Sequence, residues 1–230
     1  MLAETIGDRC TCTKATRVGF ELYRRLPKIG LGTIDSVRGI SVSSAALTYW
    51  QTDRLSRLNE VDTHCLALLA LIPANPMFLE ETLRGFVLHL SAHFQGFCRD
   101  LYTECSQICI AVVPVGLRAT SQTQFAAQLA LEKGNPSHDN IKKDFNRFGF
   151  FLDLQAAHPL GPQQVTHLGH LNDWRNKAAH QGTQPLGGGV PTTLTLPIVR
   201  GWRTSCDRLA ISLDGIMYSE LLHILGVAPW

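Results

Sequence analysis

Residues 83–108 read LRGFVLHLSAHFQGFCRDLYTECSQI, and this stretch decides the fold class. Apolar side chains recur through it at steps of three or four residues: Leu83, Val87, Leu90, Phe94, Phe97, Leu101, Cys105 and Ile108. In an α-helix, that spacing places every one of them on the same face. Pro114 and Gly116 then end the pattern. The sequence therefore predicts a long amphipathic helix that ends close to residue 114.

The same spacing, together with helix-capping residues, predicts further helices on both sides. The first begins at Ser43 or Ser44 and ends at Pro73, and the others are expected over residues 124–132, 137–148, 163–181 and 204–225. Thr204 and Asp207 resemble a capping box at the start of the last one. Residues 192–199 are rich in β-branched side chains but have no partner strand. The prediction is an all-α helical bundle with a short extended segment before the C-terminal helix.

A second strip on the long helix is made mostly of small residues, Gly85, His89, Ala92 and Gly96. Small side chains let another element approach closely. A neighbouring helix of the same chain is the favoured occupant of this strip, with a second subunit as the alternative.

Size and composition bound the class of protein. The chain has 230 residues, 45% of them hydrophobic and 17% charged, with a formal net charge of +2. That composition is typical of a globular domain, and so small a net charge neither implies nor excludes a nucleic-acid partner. No apolar run approaches the roughly 20 residues of a membrane span, and the N-terminus lacks an apolar signal core. We expect a soluble, cytoplasmic protein that has no membrane partner.

Two segments are expected along the chain. Residues 43–230 carry the helical patterns and predict one domain. Residues 1–42 are irregular and basic, which predicts a basic arm or a loosely docked segment; their cations are Arg9, Lys14, Arg17, Arg24, Arg25, Lys28 and Arg38.

No metal or cofactor site is predicted. The seven cysteines lie mostly in apolar helical patterns, as expected of reduced core thiols, and Cys10-x-Cys12 lacks a second pair of zinc-site spacing. His89 and His93 have the one-turn spacing of zinc-binding helices, but Leu90 occupies the position where a zinc protease has glutamate. His167 and His170 have no acidic or thiolate companion nearby. We expect these histidines to flank the core.

Residues 171–182, LNDWRNKAAHQG, form the candidate chemical site. Arg175 and His180 stand five residues apart near the end of a predicted helix, with polar Asn176 after the arginine and small residues before the histidine. Arg84 and His89 share that interval inside the long helix, so the spacing alone is not specific. The small residues leave the imidazole of His180 accessible to a substrate.

This motif resembles the signature of HEPN domains, which carry an arginine, a polar residue, a short spacer and a histidine. The run HFQGFCRDLY at residues 93–102 is similar to the second helix of several bacterial members, and the terminal GVAPW at residues 226–230 fits the same resemblance. The resemblance covers roughly residues 43–230. It implies a metal-independent endoribonuclease of the toxin–antitoxin or phage-defence type, acting as a homodimer with both motifs in one cleft.

The resemblance also implies roles for the motif residues. His180 would transfer protons, Arg175 would hold the phosphate, and Asn176 would orient the pair or the phosphate. RNA would be cleaved by attack of its own 2′-hydroxyl, leaving a 2′,3′-cyclic phosphate and a 5′-hydroxyl, and DNA would be inert.

Two readings stay open beside the nuclease. HEPN-like bundles also serve as non-catalytic modules that bind nucleotides, RNA or proteins. In an unrelated helical scaffold, Arg175 could pair with Asp173 or a neighbouring acid while His180 caps the C-terminus of the helix. A nuclease requires Arg175 and His180 to be exposed in a shared basic cleft, whereas a scaffold would bury or separate them. HEPN toxins silenced by nucleotide transfer often carry tyrosine two residues after the histidine; here that position is Gly182. A different antitoxin or another regulatory protein remains compatible with the sequence.

Overall fold

The computed structural model describes residues 43–71, 76–180 and 185–230. Their elements, in chain order, are α1 (Ala45–Tyr49), a π-helical turn (Trp50–Arg54), α2 (Leu55–Leu71), α3 (Pro76–Val112), α4 (Val115–Ala126), α5 (Ala130–Lys133), α6 (His138–Phe145), a 3-10 turn (Asn146–Phe148), α7 (Gly161–Ala179) and α8 (Leu196–Leu225). These residues contain no β-strand, so the predicted all-α class is confirmed. The predicted basic arm, residues 1–42, lies outside the described residues.

Helix α3 is the central element and packs against α2, α7 and α8. The predicted stripe faces the core: all its members from Leu83 to Cys105 are fully buried, and Ile108 is half-buried. Burying a Leu or Phe side chain stabilises a fold by about 1.5–3 kcal/mol. The stripe therefore supplies much of the free energy that holds the bundle together.

Helix α1 begins where the sequence predicts. Ser44 is its N-cap, and the Ser44 hydroxyl accepts a hydrogen bond from the amide of Leu47. The hydroxyl also donates to the carboxylate of Asp214 on α8. The carboxylate of Glu104 on α3 accepts the amides of Ala45 and Ala46, both at 3.0 Å. Side chains from three helices thus fix the first turn of the domain.

The small strip on α3 is occupied differently from the prediction. A Cβ added at Gly96 would lie 2.3 Å from Nη1 of Arg54, the residue that ends the π-helical turn. A Cβ at Gly85 would meet nothing within 4 Å, and His89 and Ala92 are exposed. Among the described residues, the strip therefore admits one guanidinium at Gly96 and no helix along its length.

Three predicted helix boundaries are wrong, and the first is the start of the helix expected at residue 124, which begins at Val115 instead. The helix expected over residues 124–132 is interrupted between α4 and α5, where Gln128 has a φ of 52°. The carboxylate of Asp144 on α6 accepts the amides of Ala130 and Leu131, so a distant side chain starts a new helix there.

The C-terminal helix begins eight residues earlier than predicted. Thr195 is the extended residue before α8, and Leu196 and Val199 inside its first turn are buried. Thr204 lies within α8, where its hydroxyl donates to the carbonyl of Arg200. Asp207 accepts the indole N–H of Trp50. The predicted capping box is therefore wrong, and within the predicted extended segment Thr195 has extended backbone while residues 196–199 are helical. Gly226, with a φ of 72°, ends the helix as predicted.

Candidate functional site

The motif lies on the last two turns of α7. Leu168, Leu171 and Trp174 recur at steps of three residues and are buried, which fixes the rotation of the helix. The indole N–H of Trp174 donates to the carbonyl of Pro191 at 2.9 Å, in the segment that leads to α8. Because the face with these three side chains packs into the core, Arg175 and Asn176 lie on the neighbouring face of α7 and are half-exposed.

Arg175 and Asn176 are in direct contact. Nη1 of Arg175 donates to Oδ1 of Asn176 at 3.3 Å. Within the described part of the chain, the Arg175 guanidinium makes no ion pair, so the alternative pairing with Asp173 is not observed. The Asp173 carboxylate instead faces the backbone of Gly187, where an added Cβ would be 2.9 Å from Oδ2. The positive charge of Arg175 therefore has no carboxylate neutralising it among these residues.

His180 is the C-cap residue of α7 and its side chain is exposed. Its backbone N–H donates to the carbonyl of Asn176 at 3.0 Å. Residues four apart lie on the same side of a helix, whereas five residues correspond to a rotation of about 140°. Asn176 is consequently the helical neighbour of His180, and the long side chain of Arg175 reaches round to Asn176. The side chains of Arg175 and Asn176 are thus in contact, and His180 is joined to Asn176 through the helix backbone.

The loop between α5 and α6 forms the second wall of the site. Nδ2 of Asn135 donates to Oδ1 of Asn176 at 2.6 Å, and Nδ2 of Asn172 reaches the carbonyl of Pro136 at 3.4 Å. Sequence reasoning missed Asn135. A Gly-Asn-Pro-Ser run predicts a turn, but nothing in it indicates a contact with a residue 41 positions later.

The loop is itself held from two other helices. Nε2 of Gln95 on α3 donates to the carbonyls of Leu131 and Gly134, and Nδ2 of Asn140 on α6 donates to the carbonyl of Asn135. The wall that touches Asn176 is thus connected by side-chain hydrogen bonds to the central helix.

The local charge around the motif is positive on α7. Lys177 lies over the Trp174 ring, with Nζ 4.6 Å from the ring centroid. A cation over an aromatic face keeps its charge and loses mobility, at a gain of about 0.5–1 kcal/mol at an exposed site. Lys177 and Arg175 therefore place two cations at this end of α7.

The other two histidine pairs, His89 with His93 and His167 with His170, contact neighbouring side chains of the bundle. The rings of His89 and His93 stack with centroids 6.4 Å apart, and burial lowers the pKa of His93. Nδ1 of His167 hydrogen-bonds the hydroxyl of Ser205 at 2.8 Å, and burial likewise lowers the pKa of His167. The described residues hold no group of three or more His, Cys, Asp or Glu side chains that could bind a metal.

The five described cysteines are free thiols, and all except Cys109 are buried. Burial raises the pKa of the Cys65 thiol, and it raises that of Cys98 well above the ordinary value. Cys10 and Cys12 lie outside the described residues.

A separate cleft of about 340 Å³ lies between the π-helical turn, α3 and α5. Arg54, Arg99, Asp100 and Glu132 line it, together with the backbone of Gly96. Arg54 pairs with Asp100 at 2.6 Å, and Arg99 approaches Glu132 at 3.6 Å. Its cations are therefore already paired, unlike Arg175.

No protein-family model, curated protein or solved structure matches this chain. In the described ranges, no helix has both the length and the apolar character that crossing a membrane requires.

Proposed function

We propose that this protein is a HEPN-type, metal-independent endoribonuclease whose active site contains Arg175, Asn176 and His180. The observation that carries the proposal is the arrangement of hydrogen-bond donors at the end of α7. Arg175 has no carboxylate partner among the described residues, Asn176 holds it in place, and His180 is exposed one turn further on. The Arg175 guanidinium favours binding of an anion such as a phosphate, and His180 is a residue that can transfer a proton.

The chemistry that fits this arrangement is transfer of the RNA phosphate to its own 2′-hydroxyl. One His180 removes the proton from the 2′-oxygen, which attacks phosphorus, while the bond to the 5′-oxygen breaks. Arg175 donates to the phosphate oxygens, where negative charge accumulates in the transition state. The 5′-oxygen takes a proton from a second acid, which the His180 of another copy supplies in the proposed homodimer. The products are a 2′,3′-cyclic phosphate and a 5′-hydroxyl.

The test is cleavage of a structured RNA in EDTA by the wild type, Arg175→Ala, Asn176→Ala and His180→Ala. Cleavage by the wild type with cyclic phosphate ends, reduced at least 100-fold by loss of the arginine or the histidine, is expected. A DNA strand of the same sequence should remain intact, because it lacks the nucleophile.

The chain supplies its own matched control. Arg84 and His89 have the same spacing on α3, but Arg84 is paired with Glu80 and Glu81 at 2.7 and 2.8 Å. Arg84→Ala and His89→Ala should cleave RNA like the wild type. If the wild type leaves RNA intact in EDTA while remaining folded, the enzyme proposal fails and the non-catalytic binding module replaces it.

A further inference from the structure

We infer that Asn135 is a positioning residue that sets which end of the Asn176 side-chain amide faces the substrate. The inference rests on the proposed function, since it concerns the same site. Asn135 lies on the loop between α5 and α6, outside the motif, and acts through Asn176.

The chemistry of the contacts fixes the orientation of both amides. A guanidinium can only donate hydrogen bonds, so the Asn176 atom that faces Nη1 of Arg175 must be the oxygen. That same Oδ1 lies 2.6 Å from the Asn135 side chain, which must therefore present its Nδ2 donor. Two donors thus converge on one oxygen.

The consequence is that Nδ2 of Asn176 points away from both partners. Within the described residues, Nδ2 of Asn176 donates no hydrogen bond, and it does not belong to the buried polar atoms that lack a partner. The nitrogen is therefore accessible to solvent. Its two N–H groups join the guanidinium of Arg175 as donors at the surface. An amide turned by 180° would instead present an oxygen, which repels a phosphate.

Hydrogen bonds to neighbouring backbone carbonyls hold the loop that carries Asn135 in place. Its carbonyl accepts Nδ2 of Asn140 at 2.8 Å, and the next residue, Pro136, is buried and accepts from Asn172. The neighbouring carbonyl of Gly134 accepts Nε2 of Gln95 at 2.8 Å. The loop backbone is thus fixed at three consecutive residues, and this holds the Asn135 donor where it reinforces the Asn176 orientation that the Arg175 guanidinium requires.

The kinetic test compares Asn135→Ala, Asn176→Ala and the double variant on RNA. Asn135→Ala should lower kcat about 10-fold with KM changed less than threefold, since the lost hydrogen bond orients a transition-state donor. Because Asn135 acts through Asn176, the double variant should be no slower than Asn176→Ala alone. Losses that multiply would assign Asn135 an independent or purely structural role and overturn the inference. Asn59→Ala is the matched control, because it removes an asparagine that bonds Arg203 between α2 and α8.

A second measurement needs no activity and separates the two proposals. In the full-length protein, the ¹⁵N–¹H signal of the Asn176 side-chain amide is identified by its loss in Asn176→Ala. Inorganic phosphate should shift this signal in the wild type, and Asn135→Asp, nearly isosteric but unable to donate when ionised, should shift it and weaken the phosphate response. An Asn176 signal unchanged by Asn135→Asp overturns the positioning role even if RNA is cleaved. If the signal moves as expected but wild type leaves RNA intact, the positioning role stands for anion binding and the nuclease proposal fails.

Discussion

Replacing Gly96 by alanine in the middle of α3 has two opposing effects on the free energy of unfolding, a gain in helix propensity and displacement of the Arg54 guanidinium. Alanine is the better helix former, and in a helix interior this substitution gains about 0.5–1 kcal/mol. The new Cβ, however, would lie 2.3 Å from Nη1 of Arg54, so the guanidinium has to move.

The cost of that movement follows from what the guanidinium touches. Its ion pair with Asp100, at 2.6 Å, joins a side chain that is 15% exposed to one that is 47% exposed, which limits its value to about 0.5–1 kcal/mol. The guanidinium also lies 5.0 Å from the centre of the Tyr49 ring, a contact worth about 0.5–1 kcal/mol. Displacement thus costs about 1–2 kcal/mol, and Gly96→Ala should be neutral or destabilising by up to about 1.5 kcal/mol.

Gly85 on the same helix provides the matched comparison, because a Cβ there meets nothing within 4 Å. Gly85→Ala should raise the free energy of unfolding by about 0.5–1 kcal/mol in urea denaturation followed by circular dichroism. In an Arg54→Ala background, Gly96→Ala should gain as much as Gly85→Ala does. Equal gains from both substitutions in the wild-type background would refute the account of the Arg54 contact.

Three other substitutions or treatments test separate parts of the molecule. Burial raises the pKa of Asp214, so the folded protein favours the protonated carboxyl group. The contribution of Asp214 to the free energy of unfolding is therefore largest below the ordinary pKa of 3.8, and it is lost as pH rises through the folded-state pKa. Asp214→Asn should accordingly raise the free energy of unfolding at pH 7, and this gain should vanish in acid. Asp144 is fully buried and accepts two amides, so Asp144→Ala should cost about 2–4 kcal/mol in urea unfolding, while Asp139→Ala, at an exposed position, should cost almost nothing. Cys109 is half-buried, which raises its pKa to about 11, whereas the other described thiols are fully buried. Peptide mapping after treatment with iodoacetamide at pH 9 should therefore find Cys109 alkylated before Cys98.

The elements that the sequence predicted well are those where a local pattern determines the structure. The stripe from Leu83 to Cys105 is a periodicity, and burial of the helix face is its direct consequence. Ser44 and Ser137 cap helices because their hydroxyls reach amides three residues later in the chain. These signals lie within one or two turns of the residue that carries them.

The errors come from contacts between distant residues. Residues 124–132 are good helix formers, but Asp144 captures two of their amides and divides the segment. The β-branched pattern of residues 192–199 favours an extended chain, yet burial of Leu196 and Val199 extends α8 over residues 196–199. At the site, the motif on α7 was visible in the sequence, whereas its contact with Asn135 depends on how a loop folds back.

Helix α4 is attached to the bundle at its ends and hardly at all through its middle. None of its residues is buried, and the hydroxyl of Tyr102 and the guanidinium of Arg147 bind carbonyls near its C-terminal end. At the other end, the guanidinium of Arg118 binds the carbonyls of Ala111 and Val113. Random substitutions in α4 between these two sets of contacts should leave expression and folding intact. The same number of random substitutions in α3 should abolish both. Among the described helices, α4 is accordingly the one whose sequence is least constrained by packing, and a reporter peptide inserted there should leave the bundle folded.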